Sequence, residues 1–314
     1  MSRLFLIFAI VGWMAQLSFA QQSEPVKGKH LTAELLSSVA SLQAGQPFTV
    51  GVRFKMDPKW HTYWINPGDS GQAPSVKWTL PEGFTAGELH FPVPVQFNQP
   101  GDILGYGYED EVVMLARITP PAKLSADEPV NIKANVNWLV CADVCIPGKA
   151  ELTMNLPVGE TIAPSPHAKL IEEWQQQIPH ADDLANFGVS QEWSVAPAKA
   201  GDDAAGEIKL SWPEGKPAPA KVEIFFPAID DVTFSAGEVA TVGHVATIRY
   251  IQRRLAGSAE QPSDLAKRSS HWALAVITDD AGKRSGYPMY LHVAGDDGST
   301  GGLGPKTRLS HTVK

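Results

Sequence analysis

The sequence predicts a mainly β protein: two immunoglobulin-like β-sandwich domains joined by a linker with one short helix. Three observations carry that expectation. Short runs of alternating apolar and polar residues recur at intervals of about ten residues with turns between them, the spacing of a sandwich. Turn-forming residues are plentiful, with 25 Pro and 27 Gly in 314 residues. Long helical periodicity is rare, which favours strands over helix bundles. A chain of this length exceeds one ordinary domain, so two are expected.

Residues 1–20 read as an export signal. Arg3 supplies a positive charge, residues 4–13 are an apolar run, and Leu17-Ser-Phe-Ala20 places small residues before Gln21. The run is short for a membrane span and polar sequence follows directly. Cleavage near Ala20 is expected, an uncleaved anchor being the alternative. No later stretch is long and apolar enough to cross a bilayer. The mature chain is therefore expected to be soluble and exported, where disulfides are permitted. Loss of residues 1–20 leaves 25 Lys and Arg against 34 Asp and Glu, a net charge of −9. That balance argues against nucleic acid or anionic lipid as a partner.

Residues 21–157 form the first expected domain. Segments 30–36 and 47–56 alternate as strands; in the second, Phe48, Val50, Val52 and Phe54 face one way and Thr49, Gly51, Arg53 and Lys55 the other. Trp60-His-Thr-Tyr-Trp64 is an aromatic cluster, followed by the turn Asn66-Pro-Gly-Asp-Ser-Gly71. Further strands are expected at 76–80, 111–119, 131–140 and 150–156. Between them, Pro92, Pro94 and Pro100 interrupt one stretch, and 101–108 is rich in Gly and Tyr. Residues 158–187 form the linker. Its helix is expected over 166–178, with Leu170, Ile171, Trp174 and Ile178 on one face. The second sandwich, 188–294, has strands expected at 206–212, 221–227, 239–252, 271–278 and 286–293, with a turn at Asp280-Ala-Gly282. Residues 295–314 are Gly/Ser-rich and polar, the composition of a flexible tail.

The chemistry is concentrated in Asn135-Val-Asn-Trp-Leu-Val-Cys-Ala-Asp-Val-Cys-Ile-Pro-Gly148, which holds the only two cysteines, Cys141 and Cys145. Such a pair is a redox dithiol, half a metal site, or a short staple. A disulfide needs Cα atoms about 4.4–6.8 Å apart, whereas the same segment fully extended would span about 13 Å at ~3.3 Å per residue. The segment must therefore fold back if the pair closes, as a turn or one helical turn at the end of a strand over 132–140. A loop this small contributes less than the ~3 kcal/mol of a 15-residue loop, so a working dithiol is favoured over a passive staple. Zinc usually takes four ligands, which ranks a two-cysteine metal site third.

These blocks resemble a known family. The residues Trp60-His-Thr-Tyr-Trp-Ile-Asn-Pro-Gly-Asp-Ser-Gly71, Gly105-Tyr-Gly-Tyr-Glu-Asp-Glu-Val112 and Val136-Asn-Trp-Leu-Val-Cys-Ala-Asp-Val-Cys-Ile-Pro-Gly148 look like the N-terminal periplasmic region of DsbD-type thiol:disulfide interchange proteins. The closer likeness is to the ScsB branch, linked to suppression of copper sensitivity. It covers about residues 30–157, and the second domain resembles the following region of that branch more weakly. The resemblance implies a periplasmic immunoglobulin-like domain with a cycling Cys141/Cys145 dithiol and no cofactor. It implies electrons arriving from a thioredoxin-like domain fed by a membrane donor of DsbD type. Delivery would be to periplasmic disulfide isomerases or cytochrome c maturation thioredoxins. The membrane and thioredoxin-like parts are missing from this sequence, so electron relay is expected rather than autonomous catalysis.

Roles for single residues follow. The family implies Cys145 as the site of the mixed disulfide. Asp143, between the cysteines, is read as a turn former whose carboxylate would also disfavour a nearby thiolate. No Lys, Arg or His lies within the loop to acidify a thiol, so attack by the partner's more acidic cysteine is expected. The family also shields its cysteines with a mobile aromatic cap; the matching stretch is 102–108, with Asp102, Tyr106 and Tyr108 as candidates and Tyr106 foremost. The alternative is that both tyrosines are plain sandwich-edge residues. Trp60, Tyr63, Trp64 and Trp138 are read as core, with Trp138 and Pro147 supporting the cysteine segment. His61 is read as structural, with proximity to the thiols or copper ligation as alternatives. Two other functions compete with relay: a scaffold sandwich whose bridge never opens, and a copper-binding protein using the cysteines with a histidine or methionine.

Overall fold

A computed structural model of the chain describes residues 22–99, 103–126, 128–179, 190–195, 203–215, 218–227, 232–254 and 271–291. The expected export signal, the tail over 295–314 and Asp102 lie outside the described residues. No helix among the described residues is long and apolar enough to cross a membrane.

The first sandwich is built from β1 (Val26–Lys27), β2 (Leu31–Ser37), β3 (Phe48–Met56), β4 (His61–Gly68), β5 (Ser75–Thr79), β6 (Thr85–Ala86), β7 (Val95–Gln99), β8 (Ile103–Glu109), β9 (Glu111–Thr119), β10 (Val130–Cys141) and β11 (Cys145–Leu156). One sheet has the order β1-β2-β3-β9-β6; the other runs β11-β10-β4-β8-β7, with β5 also paired to β10. Alternation decides what lies between them. Phe48, Val50, Val52 and Phe54 of β3 meet Ile132, Ala134, Val136, Trp138 and Val140 of β10 in one buried core. The expected strands are therefore present, with one substantive difference. The glycine- and tyrosine-rich stretch read as a cap region is a regular strand, β8, paired to β4 and β7.

The helix α1 (Ala168–Gln175) is shorter than expected and carries no side-chain N-cap. Packing holds it instead: Ile171 is 2% exposed and sits with Leu36, Val113 and Leu115, joined by Leu170, Trp174 and Ile178. Burying one such isoleucine side chain contributes about 1.5–3 kcal/mol. The outer face of the β2–β3–β9 sheet is thereby covered. The segment leading to the helix is not a free tether, because Val39 bridges Pro164 and Leu42 bridges Val158.

The second sandwich pairs a four-stranded sheet with a three-stranded one. The first has β12 (Ser190–Val195), β13 (Ala204–Ser211), β16 (Val245–Arg254) and β15 (Val232–Val242) in that order; the second is β14 (Lys221–Phe225), β17 (His271–Thr278) and β18 (Arg284–Leu291). Ile208, Leu210, Ile224, Phe226, Phe234, Ile248, Tyr250 and Ala275 share its core. A single strand expected over 239–252 is instead the hairpin β15–β16, because Gly243 adopts a positive φ of 58° and turns the chain. The turn expected at Asp280-Ala-Gly282 is present, with Gly282 at φ 81°.

Candidate functional site

The longest pairing in the first sandwich is the hairpin β10–β11, in register from Val130↔Leu156 to Cys141↔Cys145. Ala142, Asp143 and Val144 close it, with the Ala142 N–H donating to the Val144 carbonyl. That turn sets the two Cα atoms 4.1 Å apart, and the sulfurs are bonded. Folding back, required by the spacing if the pair is to close, is thus achieved by a β-hairpin rather than a helical turn. Pro147 and Gly148 lie within β11. Because β11 is an edge strand, the missing N–H of Pro147 is tolerated there. Gly148 leaves room for Trp138, whose indole would lie 2.4 Å from a Cβ at that position. Trp138 itself is 5% exposed, 5.4 Å from the Phe54 ring, and belongs to the core.

The two sulfurs are unequal. Cys141 is 0% exposed, whereas Cys145 stands at the hairpin tip in an exposed position beside Asp143 and Val144, also exposed. An incoming group reaches Cys145 first.

Register assigns the neighbours. Cys141 pairs with His61, and Tyr63 pairs with Gly107; alternation puts Cys141, His61 and Tyr63 on one face of the sheet, opposite the core. The Tyr63 hydroxyl donates to Cys141 Sγ at 3.1 Å and lies 3.8 Å from Cys145 Sγ. Its ring is 0% exposed, roofed by the turn after β4: Gly71, at φ 118°, would carry a Cβ 2.2 Å from the Tyr63 ring. Burial raises the Tyr63 phenol above the ordinary tyrosine value, so it stays a protonated donor at neutral pH. The Thr62 hydroxyl donates to the Leu139 carbonyl at 3.0 Å, fixing β4 against β10.

His61 lies beside the thiols but brings no positive charge. It is 7% exposed, its Nε2 has no hydrogen-bond partner among the described residues, and burial lowers its pKa from the ordinary 6.5. Phe97 of β7 lies over it, with ring centroids 4.1 Å apart, and stands 6.2 Å from the Tyr63 ring. Gly105, paired with Phe97, makes that position possible; a Cβ there would sit 2.2 Å from the Phe97 ring.

The cap candidates Tyr106 and Tyr108 are elsewhere. They alternate with Gly105 and Gly107 along β8, so they face away from Cys141, His61 and Tyr63. Tyr108 is core and donates to the Pro92 carbonyl at 2.7 Å. The Tyr106 hydroxyl accepts from the Phe226 N–H of the second sandwich at 3.3 Å. The ring of this hairpin that meets His61 and Tyr63 is Phe97, which sequence reading missed. Tyr63, read as core, is buried and also hydrogen-bonded to the Cys141 sulfur, whereas Trp60 stacks on His30 and Trp64 meets Phe225. Among the described residues no group of three or more His, Cys, Asp or Glu is arranged to hold a metal ion.

Residues 31–157 match the family described as thiol:disulfide interchange protein DsbD, N-terminal. The crystal structure of the N-terminal periplasmic domain of ScsB from Proteus mirabilis aligns with 87% of this chain and 98% of its own, at 16% identity and a TM-score of 0.61. A conserved domain protein from Bacillus anthracis aligns with 88% of this chain and 90% of its own, at 9% identity and a TM-score of 0.21, too distant in shape to carry an argument. No curated protein sequence matches significantly.

Proposed function

We propose, from the premise that residues 31–157 belong to the DsbD N-terminal family, that this chain relays electrons between other proteins through Cys141 and Cys145. The observation that carries this reading is the asymmetry of the disulfide: an exposed Cys145 bonded to a buried Cys141 whose sulfur accepts a hydrogen bond from Tyr63. Membership supports a thiol:disulfide interchange module; the steps, partners and compartment are our reading.

In the reducing half-cycle a donor thiolate attacks Cys145 Sγ. The Cys141–Cys145 bond breaks as the donor–Cys145 bond forms, and its electron pair leaves on Cys141 as a thiolate. The Tyr63 hydroxyl stands where that charge develops, and hydrogen bonds to charged acceptors are the stronger kind. The donor's second thiolate then attacks its own bonded sulfur and releases Cys145 as a thiolate. In the delivering half-cycle the Cys145 thiolate attacks a partner disulfide, and the Cys141 thiolate resolves the mixed disulfide. The Cys141–Cys145 bond reforms and the partner departs as a dithiol. Two electrons pass in each half-cycle, and no cofactor enters.

Thioredoxin-like and disulfide isomerase proteins of the periplasm fit as partners, with a DsbD-type membrane protein as donor and residues 1–20 as export signal. The test is trapping. Full-length Cys141→Ala, incubated with an oxidised thioredoxin-like protein, is expected to accumulate a mixed disulfide through Cys145. A scaffold whose bridge never opens would instead leave the wild-type disulfide unreacted with every reduced thioredoxin-like protein tried.

A further inference from the structure

A row of side chains crosses the sulfur face of the sheet, and a histidine stands at its centre. Cys141 of β10 is opposite His61 of β4, and His61 is opposite Glu109 of β8. Residues directly opposite in neighbouring antiparallel strands hold their Cβ atoms about 4.5–5.5 Å apart on one face. Opening the disulfide frees the Cys141 sulfur to rotate about its Cα–Cβ bond beside the imidazole. His61 is 7% exposed, yet its Nε2 has no hydrogen-bond partner among the described residues. A buried ring nitrogen in that state calls for a role that the closed disulfide does not supply.

Thiol exchange needs a base at Cys141. The sulfur is 0% exposed, and burial in apolar surroundings raises a thiol's pKa. The resting reduced form therefore holds a proton there at neutral pH. That proton must leave before Cys141 can resolve a mixed disulfide at Cys145. Tyr63 is held protonated by burial and offers a proton rather than taking one. From β7, Phe97 and Gln99 bring no charge, while the Glu109 and Asp143 carboxylates belong to exposed residues. Burial lowers the pKa of His61 from the ordinary 6.5, which leaves a neutral imidazole with a free lone pair at neutral pH.

We propose that His61 is the base that takes the Cys141 proton when the reduced chain delivers its electrons. The proposal rests on the relay reading above, because a base matters only for a dithiol that reacts. The step begins with Cys145 bonded to a partner sulfur. The Cys141 thiol gives its proton to the His61 imidazole, and the electron pair left on its sulfur forms the Cys141–Cys145 bond. The bond from Cys145 to the partner breaks, and its electron pair leaves on the partner's sulfur. The imidazolium then returns the proton to that thiolate or to solvent. The partner gains two electrons and the cysteine pair loses two.

The experiment uses the full chain, reduced with dithiothreitol, freed of it, and mixed with an equimolar amount of the aromatic disulfide dithiobis(nitrobenzoate). One coloured thiolate is released as Cys145 attacks, and a second as Cys141 resolves the mixed disulfide. In wild type the rate of the second release is expected to be level across neutral pH and to fall below the His61 pKa, itself under 6.5. In His61→Gln the second release is expected to be about 100-fold slower at neutral pH. It should then rise about tenfold per pH unit, as a reaction of the thiolate alone does, with the first release unchanged. A wild-type second release that already rises tenfold per pH unit through neutral pH would overturn the proposal without any substitution. A wild-type second release in His61→Gln would overturn the base and leave the relay standing. Equal slowing of both releases, with the pH profile unaltered, would mark a structural histidine and overturn it too. A disulfide inert to dithiothreitol, or a reduced chain that never makes the second release, would defeat the relay reading itself, and the base with it.

Discussion

The Tyr63 hydroxyl sits 3.1 Å from the sulfur of Cys141, the buried half of the disulfide, and 3.8 Å from that of exposed Cys145. A donor aimed at the buried sulfur is aimed at the leaving group when Cys145 is attacked. Tyr63→Phe keeps the ring under Gly71 and removes the hydroxyl with its contacts to both sulfurs. A hydrogen bond to a charged group contributes about 1.5–3 kcal/mol, so reduction by a thioredoxin-like donor is expected to slow by about tenfold or more. The Cys141 thiol in the reduced protein is expected to titrate at higher pH than in wild type. Stopped-flow reduction and thiolate absorbance against pH check both.

The unequal exposure of the cysteines gives a second outcome. Cys141→Ala leaves the exposed Cys145 free, and Cys145→Ala leaves only Cys141, which is 0% exposed. Mixed-disulfide formation with the same partner is expected to be at least about tenfold faster for Cys141→Ala, because attack depends on access to the sulfur. Gel-shift time courses under non-reducing conditions read the ratio.

Gly148→Ala tests the floor of the hairpin. The added Cβ would lie 2.4 Å from the Trp138 indole, a core ring that cannot withdraw without disturbing Phe54. Overpacking of this kind costs about 1–3 kcal/mol. A lowered Tm and a lowered denaturant midpoint are expected, with the disulfide still formed.

Acid should weaken the fold through buried His61 and partly buried His167. Desolvation lowers the pKa of His61 from the ordinary 6.5. Desolvation also lowers that of His167, opposed by the Glu34 charge and reinforced by Arg53. Below pH about 6.5 the unfolded chain takes up protons that the folded chain refuses, so stability falls with falling pH until the folded values are passed. Melting curves across pH 4–7.5 should show this slope, and His61→Gln should flatten it in part while leaving His167 to supply the rest.

Much of this architecture was legible because alternation is a local property. Phe48, Val50, Val52 and Phe54 announced β3 and its buried face, and Leu170, Ile171, Trp174 and Ile178 announced the packed side of α1. The cysteine hairpin was legible in part, since a short closed loop demands reversal of the chain. The surroundings of the sulfurs were not. Tyr63 looked like core because it is an aromatic in an apolar cluster, and buried it is. What makes it a site residue is the pairing of β4 with β10 and β8, a contact across 78 positions of sequence. Phe97 lay hidden for the same reason, because its place over His61 depends on Gly105 opposite it. Tyr106 and Tyr108, expected from the resemblance as a cap, face away from Cys141, His61 and Tyr63 by one residue of alternation. The hairpin β15–β16 was merged into one strand because Gly243 and His244 interrupt an otherwise continuous pattern without a Pro or Asn to mark the turn.

The most direct measurement is equilibration of the full oxidised chain with a reduced thioredoxin-like protein over a range of potentials, with the bonded cysteine identified by mass spectrometry. A working relay is expected to exchange fully, with the trapped intermediate joined through Cys145. A disulfide that remains closed below about −300 mV, the range of structural bridges, with no intermediate trapped at Cys145, would contradict it.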